Sequence, residues 1–463
     1  MNVIDIPHEP AIADGAVPLL GHALKFGKDP LGFLSTLRDY GELVRLKLGP
    51  RPAFAVCSPE LLGELLSADP EIFVVGGPMW DALKALLGEG VATSNGAMHR
   101  RQRRMIQPAF RREQIARYAR VMQQEANALS ASWRDGELID VNQITFGISV
   151  RIITHSLLNT DAVDRQSETL CEALRTLFRG MYRQMMLSAL PLPHLLSRGS
   201  RPFRDALASL HGIVDEIIAQ RRCADRHDDD LVTTLFTAHD ESTGKPLDDK
   251  EIHDHVISLL VGGTDSLAAS MAWLLHHLSQ HPEIQDGLYQ EICAASANGT
   301  VDFSRLRELP YLRNVVTESM RVQPAVWVFT RRTARATQLG GYRIPAGADV
   351  FYSPYAMQRD ARSFDHPLHF DPDRWSPARA ARIPRFAMEP FSAGDRRCPG
   401  DHFSLAEMIL LVIAVVSRWR LLPRPETDVR IRIGITLRPK HLIVQIKRRA
   451  QASHIPDGHE TRP

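Results

Sequence analysis

The stretch that most constrains the fold of this chain is residues 391–400, which read FSAGDRRCPG. It holds a single cysteine, Cys398, and an apolar helical pattern (HFSLAEMILLVIAVV) begins just after it, at His402. A thiolate is a strong, soft ligand for iron, including haem iron. Gly394 and Gly400 allow the backbone to pass close to a flat macrocycle, and the amides at the start of the following helix stabilise a negative sulfur. The stretch therefore predicts a loop that presents Cys398 to a metal.

Two further side chains suit such a site, because Arg396 can bind a haem propionate and Phe391 can cover the sulfur and exclude water. The five fixed positions resemble the haem-binding loop of the cytochrome P450 family, Phe-x-x-Gly-x-Arg-x-Cys-x-Gly. A lone cysteine is more often a small buried hydrophobic residue, but that interpretation does not explain the other matched positions. The resemblance implies haem b as the cofactor, with Cys398 as the axial ligand of its iron.

The composition agrees with a large globular protein in a reducing compartment. The chain has 463 residues, 44% of them hydrophobic, and its net charge of +2 favours no particular class of partner. Its five cysteines are scattered without a C-x-x-C pair, so we expect neither a disulfide framework nor a zinc cluster. The N-terminus offers no run near the ~18 apolar residues that a membrane span needs. We therefore expect a soluble, cytoplasmic protein of the bacterial type, and a monomer.

The most basic part of the chain is residues 98–113 (MHRRQRRMIQPAFRRE). Such a run could bind nucleic acid, but its arginines are interleaved with apolar side chains and no nucleic-acid-binding motif surrounds it. It could also be an ordinary solvated helix face. It resembles the C helix of P450s, in which a Trp or His and an Arg four residues later bind a haem propionate. On that resemblance His99 and Arg103 bind the propionate, and the remaining arginines suit docking of an acidic redox protein rather than nucleic acid.

A long helix is predicted over residues 248–280, where Asp248 and Glu251 form a pair typical of a capping box. The sequence GGTDSL in its middle places two glycines inside a buried helix, at a cost of roughly 1 kcal/mol each. A local bulge that widens the helix over a ligand would explain them.

The same segment resembles the oxygen-activation motif of P450s, Ala/Gly-Gly-x-Asp/Glu-Thr-x. Asp265 falls on the acid, and Ser266 stands where threonine is usual. The resemblance implies that these two residues relay protons. Serine lacks the methyl group that fixes the threonine rotamer, which puts the coupling of electrons to product in question.

Glu318 and Arg321 lie three residues apart on a predicted helix over 311–323, and Arg374 follows in the sequence FDPDRW. Pairs with this spacing are usually surface ion pairs of little energetic consequence. Their order ahead of the cysteine loop resembles the buried Glu-Arg-Arg triad of P450s. The resemblance implies a structural role, in which removal of one partner would leave buried charge unpaired.

Substrate-contacting residues are predicted from the Gly-rich apolar residues 72–95, the long helix, the extended run PAVWVFTRR at 324–332 and a hairpin with its tip at 435–437. The candidates are Trp80, Leu83, Leu86, Gly262, Val326, Trp327, Val328 and Ile435. Ordinary core packing explains residues 72–95 equally well, and the methionine-rich residues 176–187 are more often core than pocket. At the end of the extended run Arg331 is the expected propionate ligand, with Arg332 as the alternative.

Four motifs stand in the order found in P450s, from His99 to Gly400. The resemblance implies a mainly α fold with a small β-rich part, with the haem between the long central helix and the cysteine loop. We expect one haem-thiolate monooxygenase domain at 26–448, an N-terminal segment at 1–25 and a polar C-terminal tail at 449–463. Because the chain has no room for a flavin or iron–sulfur domain, the resemblance implies electrons from a separate ferredoxin and ferredoxin reductase.

The motif sequences look most like those of bacterial P450s that oxidise sesquiterpene hydrocarbons, such as epi-isozizaene and pentalenene, in terpenoid antibiotic biosynthesis. An apolar lining suits such a hydrocarbon but would equally accept a fatty acid, a steroid or a polyketide. Two other classes of function are a non-catalytic haem sensor, against which Asp265 and Ser266 argue, and a magnesium-dependent terpene cyclase. The latter would use Asp229 and Asp230, although a helix cap near Leu231 is the simpler interpretation.

Overall fold

The computed structural model describes residues 9–48, 51–158, 162–188, 199–223, 230–240, 243–296 and 301–449. Helices dominate it, and 57% of the structure is helical. The helices are α1 (Ala23–Lys28), α2 (Pro30–Thr36), α3 (Pro59–Ser67), α4 (Pro78–Leu87), α5 (Gly96–Ile106), α6 (Arg112–Ser132), α7 (Val141–Ile153), α8 (Ala162–Ser188), α9 (Arg201–Cys223), α10 (Leu231–Thr237), α11 (Asp249–Gln280), α12 (Pro282–Ala295), α13 (Pro310–Val322), α14 (Pro354–Met357), α15 (Pro377–Ala380) and α16 (Asp401–Val416).

The strands form small sheets at the edge of this helical body. They are β1 (Ala11–Ile12), β2 (Leu43–Leu48), β3 (Arg51–Val56), β4 (Phe73–Val74), β5 (Leu138–Asp140), β6 (Phe329–Thr333), β7 (Thr337–Leu339), β8 (Tyr342–Ile344), β9 (Asp349–Tyr352), β10 (Trp419–Pro423), β11 (Ile431–Ile433), β12 (Leu437–Pro439) and β13 (Ile443–Arg448). One sheet has the order β1-β2-β3-β9-β6-β4 and another the order β10-β13-β5, while β7–β8 and β11–β12 are separate hairpins. The prediction of a mainly α fold with a small β-rich part is confirmed.

The long helix α11 is a central core element. Its N-terminus carries the predicted capping box, in which Asp248 accepts from the Glu251 amide and Glu251 accepts from the Asp248 amide. Within the described residues it is the one helix long and apolar enough to cross a membrane, but 72% of that apolar stretch is buried inside the protein. Such burial is typical of a core helix, and α11 packs most extensively against α7.

The expected bulge in α11 is not observed, because the helix is regular from Asp249 to Gln280. Helix packing and a cavity account for the two glycines instead. A Cβ on Gly263 would lie 2.9 Å from the Ile153 side chain of α7, so this glycine permits close packing of the two helices. Gly262 has no neighbour within 4 Å of such a Cβ, because it borders a cavity. The described residues do contain a π-helical turn, but it lies at Thr154–Leu158.

The cysteine loop is supported from behind by α16, which follows it directly. This helix is apolar all round, as expected for a helix enclosed by protein, and nearly all of its residues from Ala406 onward are buried. It packs against α6 on one side and α11 and α13 on others. The loop is therefore fixed to the most deeply buried part of the molecule.

The proposed boundaries of the chain's segments remain predictions. Residues 11–12, inside the N-terminal segment, pair in parallel with β2 and extend the six-stranded sheet. The predicted tail at 449–463 lies outside the described residues except for Arg449, which donates to Asp286 at 2.8 Å.

Candidate active site

A cavity of about 390 Å³ lies between α11, the cysteine loop, α4, the run before β6 and the tip of the β11–β12 hairpin. Gly394 is outside its lining, and the side chain of Leu86 is outside the described part of the structure, although the neighbouring Leu87 contributes. The lining includes these residues proposed from the sequence: Trp80, Leu83, His99, Arg103, Gly262, Asp265, Ser266, Val326, Trp327, Val328, Arg331, Phe391, Arg396, Cys398, Gly400 and Ile435.

The backbone of the cysteine loop depends on glycine at one position. Gly394 has φ +65°, and a Cβ there would lie 2.2 Å from the carbonyl oxygen of Leu66. The turn is closed by the Cys398 amide, which donates to the Phe391 carbonyl at 2.9 Å. Glycine is therefore required at 394 by its close contact with the Leu66 carbonyl of α3.

Burial raises the pKa of the Cys398 thiol, and the Gly400 backbone N–H opposes that shift by favouring the thiolate. Arg103 and Arg397 act in the same direction as the Gly400 amide. Burial thus favours the neutral thiol, whereas coordination to a metal would favour the thiolate.

The cations around the cavity provide a test of whether the site fits a haem. Arg396 donates through Nη2 to Asn95 at 2.7 Å, whereas its buried Nε and Nη1 have no partner among the described residues. Burial, with Arg331 nearby, lowers the pKa of Arg396 to about 10, so the side chain remains charged. Buried unpaired donors are costly, and a macrocycle that carries carboxylates would satisfy them. This donor set fits a haem.

The neighbouring propionate candidates differ from one another. Arg331 is buried and donates only to the Thr330 carbonyl, at 3.0 Å, among the described residues. Arg332, the alternative, is bound to Asp349 at 2.9 Å and to Asp81 at 3.2 Å. Arg331 is therefore the better placed of the two.

On α5, burial and several nearby arginines lower the pKa of His99 to about 4, which makes it a neutral donor at neutral pH. Arg103, one turn further along, donates to the Arg397 carbonyl at 2.6 Å and so already has a partner in the cysteine loop. The two residues share the cavity wall as the helix spacing predicts.

The remaining arginines of the basic run are less available than expected. Arg100 is paired with Glu71 at 3.0 Å, and Arg101 is paired with Asp240 at 3.2 Å and with Glu251. Arg104 is exposed. Acids of the same chain therefore pair with Arg100 and Arg101, which leaves the exposed arginines of the run as the predicted docking surface.

The structure brings Glu318, Arg321 and Arg374 together in the interior. Arg321 donates twice to the Glu318 carboxylate, at 2.8 Å to each oxygen, and Arg374 donates at 3.2 Å. The sequence did not indicate two further donors, the Trp375 indole at 2.9 Å and the Asp371 amide at 3.1 Å. The triad joins α13 to the segment at 365–375, and its role as a structural tie remains a prediction.

On the opposite side of the cavity, Asp265 is bound by the β11–β12 hairpin. Thr436 Oγ1 donates to the Asp265 carboxylate at 2.6 Å, and Arg438 forms an ion pair with it. The Ser266 hydroxyl donates to the Gly262 carbonyl at 2.9 Å, within α11. The sequence predicted a substrate contact in this hairpin but did not predict that Arg438 pairs with Asp265. The only indication was that the hairpin contains arginines.

Trp327 lies in the cavity lining and also contacts two other parts of the chain. Its indole donates to the Gly434 carbonyl at 3.1 Å, and its ring stacks on Phe26 with ring centres 6.1 Å apart. A buried indole N–H needs an acceptor, and the hairpin supplies it. The apolar wall also includes residues of α8, because Phe178, Met181 and Met185 line the cavity.

The acidic stretch considered for magnesium forms a helix cap where the structure describes it. Asp229 lies outside the described residues. Asp230 accepts from the Thr233 amide at 2.8 Å as the cap of α10, and it is also paired with Arg221. In the described part of the chain, no group of three or more His, Cys, Asp or Glu side chains is placed to hold a metal. The structure therefore gives the cyclase hypothesis no support.

Comparisons with known proteins agree with this geometry. The sequence model of the family described as Cytochrome P450 matches residues 10–446. The chain belongs to the cytochrome P450 family. This P450 is 37% identical to cyclooctatin synthase of Streptomyces melanosporofaciens over 93% of its own length and 95% of the relative's. It is 36% identical to pentalenene oxygenase of Streptomyces avermitilis, over 94% and 97% of the two chains.

A third relative is the cyclooctat-9-en-7-ol 5-monooxygenase of S. melanosporofaciens, which is 37% identical over 91% of each chain. Among solved structures, the retinoic-acid-bound cyanobacterial CYP120A1 superposes with a TM-score of 0.85, at 23% identity, over 96% of this P450 and 100% of that chain. At that identity the likeness shows the fold.

Membership defines the chemistry of the site. The P450 binds haem through a cysteine thiolate and is a monooxygenase that needs an external electron donor and takes an apolar substrate. The cysteine of the motif is Cys398. Arg396, whose Nε and Nη1 are buried without a partner in the described part of the chain, is the clearest candidate for binding the haem carboxylates.

Proposed function

We propose that this P450 oxidises a cyclic terpenoid in a secondary-metabolite pathway, and that its first candidate substrate class is a sesquiterpene hydrocarbon. The observation that carries the proposal is the cavity wall opposite Cys398, which Leu83, Phe178, Met181, Val326 and Ile435 make apolar. Hydrocarbons bind by shape and burial rather than by hydrogen bonds. The relatives named for pentalenene and for a cyclooctatene alcohol support the same class.

The residues of the chain divide the work between binding the cofactor, excluding water and moving protons. Cys398 would hold the iron, Arg396 and Arg331 with His99 and Arg103 would bind the propionates, and Phe391 would cover the sulfur. When bound, the haem supplies reductive activation of dioxygen and insertion of one oxygen atom into a C–H bond. Ser266 Oγ would donate a hydrogen bond or a proton toward the cavity, and Asp265 would return the proton to it from the solvent side.

Electrons would come from a ferredoxin and its reductase, in the cytoplasm, to a monomeric P450. An acidic ferredoxin would meet exposed positive charge near the cysteine loop, where Arg104, Arg111 and Arg112 are exposed and Arg397 is more than half exposed beside Asp401. Such surfaces raise the association rate and make it sensitive to salt. The paired Arg100 and Arg101 contribute less.

The deciding experiment is a spectral titration of the purified ferric P450 with sesquiterpene hydrocarbons, long-chain fatty acids and a steroid. A saturable low-to-high-spin shift that is tightest for a cyclic sesquiterpene supports the proposal, and incubation with ferredoxin, reductase and NADPH should then give a hydroxylated product. Tighter binding of a fatty acid or a steroid would contradict the substrate class. A reduced, carbon-monoxide-bound protein without the red-shifted thiolate band would contradict ligation by Cys398.

A second candidate substrate class is an oxygenated terpenoid, such as an alcohol made by an earlier oxidation. Two residues of the cavity lining favour it. Trp80 Nε1 and Ser258 Oγ are buried and have no hydrogen-bond partner among the described residues. A buried unpaired donor costs roughly 1–3 kcal/mol, and a hydroxyl or carbonyl on the substrate would satisfy it.

The two classes are separated by titrating a cyclic terpene hydrocarbon against its own mono-alcohol. If the second class is correct, the alcohol binds about tenfold tighter, as one satisfied buried hydrogen bond allows. Trp80→Phe and Ser258→Ala should then remove the preference while leaving binding of the hydrocarbon intact. Equal binding of both ligands by the unmodified P450 would leave the hydrocarbon as the substrate class.

A further inference from the structure

The carboxylate of Asp265 is bound entirely from the β11–β12 hairpin among the described residues. Thr436 Oγ1 donates to one carboxylate oxygen at 2.6 Å, and an Arg438 guanidinium nitrogen donates to the other. The acid itself is buried in the middle of α11, 173 residues away in sequence from Arg438. The hairpin therefore completes a site that α11 cannot complete alone.

The hairpin that supplies these donors is also part of the substrate cavity. Ile435 and Thr436, at its tip, belong to the lining. Its position is fixed by hydrogen bonds on both sides of the tip, from the Trp327 indole to Gly434 at 3.1 Å and from the Leu437 amide to Ala325 at 2.9 Å. One hairpin thus contains both the residues that line the cavity and the side chains that bind Asp265.

The surroundings of Arg438 leave Asp265 as the counter-charge of its guanidinium among the described residues. Its guanidinium lies over the Phe146 ring, 5.4 Å from the ring centre, and Arg175 lies over the same ring at 5.0 Å. Burial, together with Arg175, lowers the pKa of Arg438 to about 10, so it is still protonated at neutral pH. Within the described residues its one ion pair is with Asp265. The charged groups facing the acid are therefore Arg438 and, behind it, Arg175.

We propose that Arg438 is a positioning residue for proton delivery: it holds the Asp265 carboxylate against the substrate-contacting hairpin and so sets the acid's reach toward Ser266. The inference rests on the proposed relay through Asp265 and Ser266. In this relay the Ser266 hydroxyl gives its proton toward the cavity and takes one from Asp265, and Asp265 then regains a proton from solvent. Since the hairpin holds the acid in position, a ligand that packs against Ile435 would also restrain the position of the Asp265 carboxylate.

The test compares Arg438→Gln with the matched control Arg432→Gln. Arg432 is exposed and pairs directly opposite Arg438 in the hairpin register, so the control removes a neighbouring charge from the same turn. Both variants are studied as haem-loaded protein with ferredoxin, reductase and whichever ligand gives the unmodified P450 its largest spin shift. The measurements are the fraction of NADPH electrons recovered in product rather than in hydrogen peroxide, the solvent isotope effect on turnover, and the pH profile of turnover.

For Arg438→Gln we expect coupling to fall by about tenfold, toward the lower end of what a positioned proton donor contributes, with a larger solvent isotope effect. Loss of the adjacent positive charge disfavours the ionised acid, so the alkaline limb of the pH profile, which reports deprotonation of the proton-donating acid, should move to higher pH. The ligand affinity measured from the spin shift should stay within about threefold of that of the unmodified P450, and the carbon monoxide band should be unchanged. Both follow because Arg438 contacts neither the Cys398 sulfur nor the residues proposed to bind the propionates. Arg438→Lys should restore part of the coupling, since it keeps the charge without the planar fork, and Arg432→Gln should behave as the unmodified P450.

Unchanged coupling, isotope effect and pH profile in Arg438→Gln would overturn the proposal. If that variant fails to fold or to bind haem, Thr436→Val decides, because it removes the second donor to Asp265 while keeping the shape of the tip. A smaller effect of the same sign supports the proposal, and none overturns it. If no terpenoid shifts the spin state, the substrate proposal fails separately, and peroxide release by the reduced variants without substrate still measures proton delivery.

Discussion

Two buried acids in this P450 are held by arginine, and their surroundings differ in ways that separate architecture from chemistry. Glu318 lies on α13 with no exposed surface, and its carboxylate accepts from Arg321, Arg374, Trp375 and the Asp371 amide. Among the described residues, Asp265 lies on α11 at the edge of the cavity and accepts only from one hairpin. The first acid is enclosed by donors from two segments of chain, whereas the second faces a space that a ligand or water can enter.

The comparison indicates that the surroundings of a buried ion pair, more than the pair itself, decide what it does. A carboxylate with every lone pair satisfied cannot exchange a proton without breaking several bonds, so Glu318 suits a tie between elements. A carboxylate held on one side and open on the other can accept and release protons, so Asp265 suits a relay.

The largest effect should follow from Glu318→Ala, which leaves Arg321 and Arg374 buried without their counter-charge. We expect a loss of about 3–5 kcal/mol in the free energy of unfolding, the range for breaking a buried ion pair, measured by urea unfolding of the haem-loaded protein. The control is Glu308→Ala, because Glu308 pairs with Arg305 at the same spacing of three residues but both side chains are about half exposed. That variant should lose less than about 1 kcal/mol, and equal losses in both would remove the distinction between the pairs.

Asp265→Asn should instead affect turnover. The amide cannot carry a proton to Ser266, so we expect product formation to fall about 100-fold while urea unfolding changes far less than in Glu318→Ala. Asp249→Asn, which neutralises a mostly exposed acid in the first turn of the same helix, is the control and should retain full turnover. A stability loss in Asp265→Asn as large as that of Glu318→Ala would show that both acids are structural.

A histidine near Arg321 makes the free energy of unfolding depend on pH. His277, at the C-terminal end of α11, is buried and stacks on Phe370 with ring centres 4.4 Å apart, and burial holds its pKa well below the usual value. At low pH the unfolded chain therefore binds a proton at His277 that the folded chain does not bind. The contribution of neutral His277 to the free energy of unfolding is fully present above about pH 6.5 and falls as the pH is lowered.

At pH 5 this histidine should cost about 2 kcal/mol of stability relative to pH 7. His277→Phe, which keeps the stack on Phe370, should reduce the loss between pH 7 and pH 5 by that amount. The check is urea unfolding at both pH values, and an unchanged pH dependence in the variant would show that His277 is not the group responsible.

The smallest effect is expected at Ser266. Ser266→Thr adds the methyl group that restricts the side-chain rotamer, so the fraction of electrons recovered in product should rise by up to about twofold. Ser266→Ala should lower that fraction, because it removes the hydroxyl that faces the cavity. A threonine variant that couples less well than the serine would contradict the idea that rotamer freedom limits this P450.

The sequence predicted contacts that arise from short spacing or from a motif, and it missed contacts set by packing between distant segments. Glu318 and Arg321 share a helix face by spacing alone, and the cysteine loop is contained in ten residues. Trp375, by contrast, joins the Glu318 site only because a 3₁₀ turn at Pro372–Trp375 points its indole inward. Arg438 meets Asp265 only after the hairpin has docked on α11.

Two residues show how partners remote in sequence escape a sequence-based prediction. The glycines of α11 predicted a bulge, which was wrong, because the sequence does not show that Ile153 packs against Gly263. The position of Trp327 in the extended run predicted a place beside the ligand, and the residue does line the cavity, but the sequence did not show that its N–H donates to the Gly434 carbonyl. In both cases a partner remote in sequence determined the outcome.

The three-stranded sheet has a consequence for biosynthesis. Its central strand, β13, pairs with β5 across about 300 residues, joining Val444 to Ile139 and Gln445 to Leu138. The N-terminal part of a chain leaves the ribosome first, so β5 cannot pair with β13 until the chain has been made as far as residue 445. Until then Asp265 also lacks Thr436 and Arg438. During synthesis the acid of the proposed relay is therefore without its two hairpin donors, and a haem bound at that stage would lie in a pocket that the hairpin has not yet completed.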